Sequence, residues 1–222
     1  MMNPSRSMPA LVALAITLFA ATGCETVGYV ADVIAGEQNI PAAYEPQERA
    51  TLVLVEDPLG KLPTPDLAPR IAGRVSDHLT DQQVVSQIIP TTVLNRFITQ
   101  TPDYHTHPEN WPIDKIGRQV GAEQVIYVVV QSFQLSEDNA IYRPVAEVRV
   151  KVVDVASGKR LFPTHTTAGY PVVTRQFYRS MEGSSGTTDN IVSRQLADQL
   201  AAEVAKLFYE HTPPQPGEGL PN

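Results

Sequence analysis

Hydrophobic and polar positions along the chain repeat with two periods, which separate strands from helices. Residues 51–55 form a short apolar run rich in β-branched side chains and closed by Asp57-Pro58, a pattern that predicts a buried strand. A helix follows, with Asp66 as its predicted N-cap. Large apolar residues recur every four positions in this helix and give it one apolar stripe: Leu67, Ile71, Val75 and Leu79.

The next segment predicts another strand and two short helices. Residues 84–89 have the composition of a strand, which Pro90 stops, and Thr91 is placed to cap a helix. A further helix is predicted from about residue 112 to 120, with Gly121 as its C-terminal stop.

The second half of the chain predicts antiparallel strands and a closing helix. Residues 125–130 are apolar without alternation, which is typical of a central strand covered on both faces. From 147 to 152 charged residues alternate with valines, and the turn 156–159 leads into residues 160–164 as a hairpin. A long helix is predicted from about 188 to 211. Together these elements predict an α+β fold with a mixed, mostly antiparallel sheet, helices packed on one side, and a long C-terminal helix.

The N-terminus has the pattern of an export signal. Residues 1–23 contain Arg6 as the only charge, followed by an apolar run that is too short to cross a bilayer as a helix. Ala21-Thr22-Gly23-Cys24 resembles the bacterial lipobox, which implies that Cys24 becomes the first residue and carries diacylglycerol and a fatty acid such as palmitate. The alternative is that Cys24, the only cysteine of the chain, is a small buried core residue.

The rest of the chain divides into three parts. Residues 24–49 have no sustained period and are interpreted as a tether from the membrane, residues 50–211 as a single α+β domain, and residues 212–222 as a disordered tail rich in Pro and Gly. Glu25 follows the cysteine where aspartate would retain an enteric lipoprotein at the inner membrane, so we expect an outer-membrane anchor facing the periplasm.

Composition excludes one class of partner. The formal net charge is -7, and an acidic surface repels phosphate backbones, so we expect no nucleic-acid partner. One cysteine also excludes an intrachain disulfide.

Two short motifs carry a second resemblance. Gly121-Ala122-Glu123 precedes the central strand, and the later segment 150–158 ends in the turn that begins at Asp154. This arrangement is similar to the group of envelope proteins that includes CsgG, LpoB and the N-terminal domain of TolB. The resemblance implies binding and scaffolding: LpoB-like proteins activate a peptidoglycan synthase, TolB-like domains belong to a trans-envelope complex, and CsgG-like proteins form a secretion pore.

The segment 104–111 is the sharpest polar cluster. If it were extended, His105, His107 and Glu109 would point to the same side, as a possible zinc or iron set for a metal-assisted hydrolase. The alternative is a polar surface loop without a metal.

Two sets of aromatic residues are candidate partner-binding sites. The first consists of Tyr104 and Trp111; alternatively, Trp111 caps the core under the following helix. The second combines aromatics with arginines, or is alternatively an ordinary edge strand: Tyr170, Arg175, Phe177, Tyr178 and Arg179.

No nucleotide-binding or nucleophile motif occurs, so we expect no enzyme and no cofactor besides the lipid on Cys24. The main interpretation is a lipid-anchored periplasmic module that binds or assembles an envelope complex. The alternatives are the hydrolase and a CsgG-like secretion-pore subunit, which would need further long amphipathic hairpins.

Overall fold

One five-stranded sheet and its helices make up the part of the chain that the computed structural model describes, residues 39–136, 142–175 and 186–213. The strands are β1 (Thr51–Glu56), β2 (Gln124–Ser136), β3 (Tyr142–Asp154), β4 (Arg160–Phe162) and β5 (Tyr170–Arg175). The helices are α1 (Leu67–Asp81), α2 (Thr91–Gln100), α3 (Asp103–Thr106), α4 (Ile113–Val120) and α5 (Gly186–Ala205), with 3-10 turns at Pro108–Asn110 and Lys206–Phe208. These elements belong to one unit, which begins at Pro41.

The sheet is mixed and mostly antiparallel, as predicted. β1 pairs with β2 in parallel, and β2 pairs with β3 antiparallel. β3 pairs antiparallel with both β4 and β5. Because β2 lies between β1 and β3 and is covered on both faces where it begins, its apolar run needs no alternation. The long C-terminal helix α5 is also confirmed.

The helices cover both faces of the sheet, whereas the sequence predicted one. Val53 and Val55 of β1 face the core formed with α1 and α5. Leu52 and Leu54 face a second apolar cluster, which α2 and α4 cover. The physical reason is in β1 itself: its side chains are apolar on both sides, so both sides need cover.

Residues 84–89 do not form the predicted strand. Gln83 has a positive φ of 55°, and the N–H of Val84 donates to the carbonyl of Leu79, which closes α1 with a Schellman motif. The run joins the sheet at a single parallel bridge, Ile88 to Thr51, through backbone hydrogen bonds of Gln87 and Ile89. The first residues of this run are thus used to end a helix.

The helices begin and end close to the predicted residues, but neither predicted N-cap side chain caps its helix. Asp66 is at the N-cap of α1, but its side chain makes no capping hydrogen bond. At α2, Pro90 occupies the cap and Thr91 is the first helical residue. Gly121 ends α4 as predicted, in the left-handed conformation with φ of 79°.

The segment before β1 packs on the domain instead of forming an unpacked tether throughout. The ring of Tyr44 contacts Phe162 at a centroid distance of 5.5 Å and Phe208 at 6.5 Å. The backbone N–H groups of Ala43 and Tyr44 both donate to the carbonyl of Leu207. Packed chain therefore begins before residue 50, the predicted boundary. The signal segment 1–23 and Cys24 lie outside the described residues.

Among the described residues, no helix has the length and apolar character to cross a bilayer.

Candidate functional site

A cleft of about 790 Å³ opens at the C-terminal end of β1. Its walls come from the first turns of α1, from α2, and from the segment that runs from α3 into α4. Most of the lining is apolar, with prolines at four positions: Pro58, Pro65, Pro69 and Pro112. A concave, largely apolar surface with a few polar groups is the usual form of a binding site.

Glu56 is the central polar group of the cleft. Its Oε1 accepts a hydrogen bond from the hydroxyl of Tyr104 at 2.9 Å, and its Oε2 accepts one from the hydroxyl of Tyr127 at 2.5 Å. The fold explains this meeting, because β1 and β2 are parallel and Tyr127 pairs with Leu54, two residues before Glu56 on the same face. Tyr104 approaches from α3.

Both tyrosines are held in the protonated form. Burial raises the pKa of Tyr104 well above its usual range, and the negative charge of Glu56 and its hydrogen bond raise it further. Burial also raises the pKa of Tyr127, followed by its hydrogen bond to Glu56. At neutral pH both hydroxyls are therefore donors to the carboxylate.

An aromatic wall stands beside this carboxylate. The ring of Phe97 packs edge-on against Tyr104 and Trp111, with centroid distances of 6.2 Å and 5.2 Å. The indole N–H of Trp111 donates to Asp103 at 3.1 Å, which fixes the ring. The ammonium of Lys115 lies 4.1 Å from the ring centroid of Trp111.

The charged groups that line the cleft are both acidic, Glu56 and Asp57. The carboxylate of Asp57 stabilises the turn that follows it, because it accepts hydrogen bonds from the backbone N–H groups of Lys61 and Leu62. Glu56 forms no ion pair with any cationic side chain in the described ranges. The cleft thus has a negative charge that no described side chain neutralises.

The structure brings together the first predicted set of aromatics and separates the second. Tyr104 and Trp111 line the same cleft, and half-buried Trp111 also packs on the apolar cluster beneath α2 and α4. Tyr170 lies on the other face of the sheet, stacked on Phe162 at 5.3 Å. Arg175 is exposed at the end of β5. The remaining candidates lie outside the described residues: Phe177, Tyr178 and Arg179.

The histidine segment is helical, so the period-two argument for a metal set does not apply to it. His105 belongs to α3, whereas Glu109 belongs to the following 3-10 turn. The Nδ1 of His107 lies 3.1 Å from Oε1 of Glu109, with both side chains exposed. Among the side chains that the structure describes, which do not include that of His105, no three metal-binding groups cluster.

Sequence reasoning missed Glu56 and Tyr127. A carboxylate placed directly after a buried strand was one available signal for Glu56. For Tyr127, the signal was a single hydroxyl within the otherwise apolar run 125–130.

The chain is only weakly similar to known proteins in sequence and in structure. No protein-family model matches the chain, and no curated protein matches it. Among solved structures, the PelC dodecamer from Paraburkholderia phytofirmans is 14% identical and has a TM-score of 0.40, with 77% of this chain and 91% of that chain covered. Lipoprotein GNA1162 from Neisseria meningitidis is 15% identical with a TM-score of 0.40, covering 69% of this chain and 99% of that one.

A minor lipoprotein from Acinetobacter baumannii is 11% identical with a TM-score of 0.34, covering 70% of this chain and 89% of that one. The structures similar to this chain thus include bacterial lipoproteins. At these TM-scores the likenesses support no inference about function. The resemblances to the lipobox and to the CsgG, LpoB and TolB group stay predictions.

Proposed function

We propose that this protein is a lipid-anchored periplasmic module that binds an envelope protein through the cleft at the end of β1. The observation that carries the proposal is the cleft itself, where half-buried Tyr104 donates to the carboxylate of Glu56 and half-buried Trp111 lines the same surface. Aromatic residues in a concave apolar surface are the usual anchors of protein interfaces.

The chemistry of the cleft favours binding over catalysis. Both oxygens of Glu56 already accept tyrosine hydroxyls, and the raised pKa of each phenol keeps it from acting as a base at neutral pH. Fixed donors and a fixed charge of this kind orient a ligand. We therefore propose a binding or assembly role rather than an enzymatic one.

The anchor is proposed from the sequence at Cys24. A diacylglycerol and a further acyl chain would hold the protein at its membrane, since several acyl chains bind far more firmly than one. Metabolic labelling with a clickable fatty acid tests this: wild type is expected to be labelled and Cys24→Ser unlabelled. Unlabelled wild type would contradict the anchor.

Site-specific photo-crosslinking in intact envelopes tests the binding role. A photoreactive residue at Asn95, which is exposed on α2 and lines the cleft, is expected to give a discrete crosslink to another envelope protein. The matched control is the same residue at Lys159, exposed in the turn between β3 and β4. If Asn95 gives no product, or the same products as Lys159, the cleft is not the binding surface.

A further inference from the structure

The outer edge of β1 is paired only at its start. In the described part of the chain, β2 occupies one side of β1, and the other side has the single bridge from Thr51 to Ile88. Both backbone groups of Thr51 point to that outer side: its N–H donates to Gln87 and its carbonyl accepts from Ile89. The pairing does not continue past Ile89, because the chain turns into α2 at Thr91.

The alternation of a strand extends this edge into the cleft. In a parallel strand every second residue directs its N–H and C=O to the same side, so Val55 presents both groups to the outer side, as Thr51 does. Val55 lines the cleft next to Glu56, together with residues of α1 and α2. Apart from the bonds within the sheet, the described residues supply no backbone partner for Val55. The cleft is therefore an apolar groove along an open strand edge.

The negative charge of this groove limits the class of ligand that can bind in it. The two acidic groups of its lining have no cationic counterpart there, and a carboxylate offers about four lone-pair positions, of which the two tyrosine hydroxyls use two at Glu56. Aromatic faces also attract cations, as Lys115 already shows on Trp111. A complementary ligand carries a cation beside an extended backbone.

We propose that the cleft binds an extended, basic segment of the envelope partner, which adds to β1 beside Val55 and places a Lys or Arg side chain against Glu56. This inference rests on the proposed function and specifies the chemistry of its partner. Strand addition supplies affinity through main-chain hydrogen bonds, and the Glu56 carboxylate supplies selection for the cation.

The test uses the full-length lipidated protein in a non-ionic detergent, with the emission of Trp111 as readout. Trp111 is the only tryptophan of the chain and stands in the wall of the cleft. The probes are two acetylated hexapeptides, Val-Thr-Val-Lys-Val-Thr amide and the same peptide with norleucine for lysine. The lysine peptide is expected to bind about tenfold more tightly or better, because only it forms a charge-assisted hydrogen bond with Glu56.

Two further comparisons test separately the contribution of the lysine charge and that of main-chain pairing with β1. Glu56→Gln is expected to make the two peptides bind alike, whereas Asp77→Asn, on an exposed carboxylate of α1, is expected to leave the difference intact. N-methylation of alternate peptide nitrogens is expected to weaken binding about tenfold, because it removes the donors that pair with β1.

Three results would overturn the inference. The first is equal binding of the lysine and norleucine peptides to wild type, and the second is unchanged binding after N-methylation. The third is binding of Nα-acetyl-lysine methylamide, which keeps its ε-ammonium, as tight as that of the hexapeptide. The last result would assign the cleft to a small organic cation. Crosslinking from Asn95 that persists alongside any of these results would leave the proposed binding role standing and remove only the basic, extended ligand.

Discussion

Arg49 and Asp154 are 105 residues apart in sequence, and Nη1 of Arg49 lies 2.6 Å from Oδ1 of Asp154. The other oxygen of the same carboxylate accepts the hydroxyl of Ser157 at 2.6 Å and its backbone N–H at 2.8 Å. The turn after β3, which carries one of the motifs noted in the sequence, is thereby fixed to the segment that leads into β1.

These hydrogen bonds predict a pH dependence of stability. The hydroxyl and N–H of Ser157, followed by Arg49, lower the pKa of Asp154 from 3.8 to about 2. The carboxylate therefore stabilises the fold fully above pH 3.8, and this contribution is lost as the pH falls through about 2. In urea unfolding, Asp154→Asn is expected to be less stable than wild type at pH 7, with the gap closing towards pH 2. A gap that does not shrink on acidification would contradict the linkage; Asp77→Asn is the control.

Two helical glycines are expected to respond oppositely to alanine. A Cβ at Gly117 of α4 would lie 2.6 Å from Cγ2 of Val155 and 3.0 Å from Cγ2 of Val125, so Gly117→Ala overpacks the cluster beneath α4. The expected loss in the free energy of unfolding is about 1 to 3 kcal/mol. At Gly73 of α1 a Cβ meets nothing within 4 Å, so Gly73→Ala should stabilise by about 0.5 to 1 kcal/mol. Thermal and urea unfolding measure both, and a stabilising Gly117→Ala would show that α4 is loosely packed.

Most of the fold follows from local pattern, and its exceptions have local causes. The stop at Gly121 and the central strand from about 125 were predictable, because a left-handed glycine and an unbroken β-branched run each have few structural interpretations. Residues 84–89 have the composition of a strand, but the left-handed Gln83 closes α1 through Val84. Glutamine gives no sequence signal for that conformation, so the error was unavoidable from composition.

Part of the candidate site could be predicted from the sequence, and part could not. Tyr104 and Trp111 stand out as amphipathic aromatics in a polar segment, and the structure places both in the cleft. Glu56 and Tyr127 are 71 residues apart, and only the register of β1 on β2 brings them together. Sequence periodicity predicts which strands form but gives no register between strands distant in the chain.

The Glu56 cluster predicts an alkaline titration. Because burial and Glu56 raise the pKa of Tyr104 and Tyr127 in the folded state, both should ionise after exposed tyrosines. Their contribution to stability is present below pH 10, where the unfolded phenol ionises, and is lost as the pH rises beyond it. Ultraviolet titration of the phenolate should show Tyr104 and Tyr127 among the late-ionising groups, and Glu56→Gln should lower the pKa of both. An unchanged titration in Glu56→Gln would contradict the hydrogen-bonded arrangement.

The packing of Tyr44 predicts that the domain needs part of the segment assigned to the tether. Its half-buried ring contacts Phe162 and Phe208, and its backbone N–H donates to Leu207. Tyr44→Ala is expected to lower the free energy of unfolding by about 1 to 3 kcal/mol, because an aromatic contact and its buried area are lost. Leu59→Ala is the matched control, since Leu59 is 59% exposed and its truncation should change little. Equal urea midpoints for both variants and wild type would show that residues near Tyr44 contribute nothing to the folded domain and would return the boundary to residue 50.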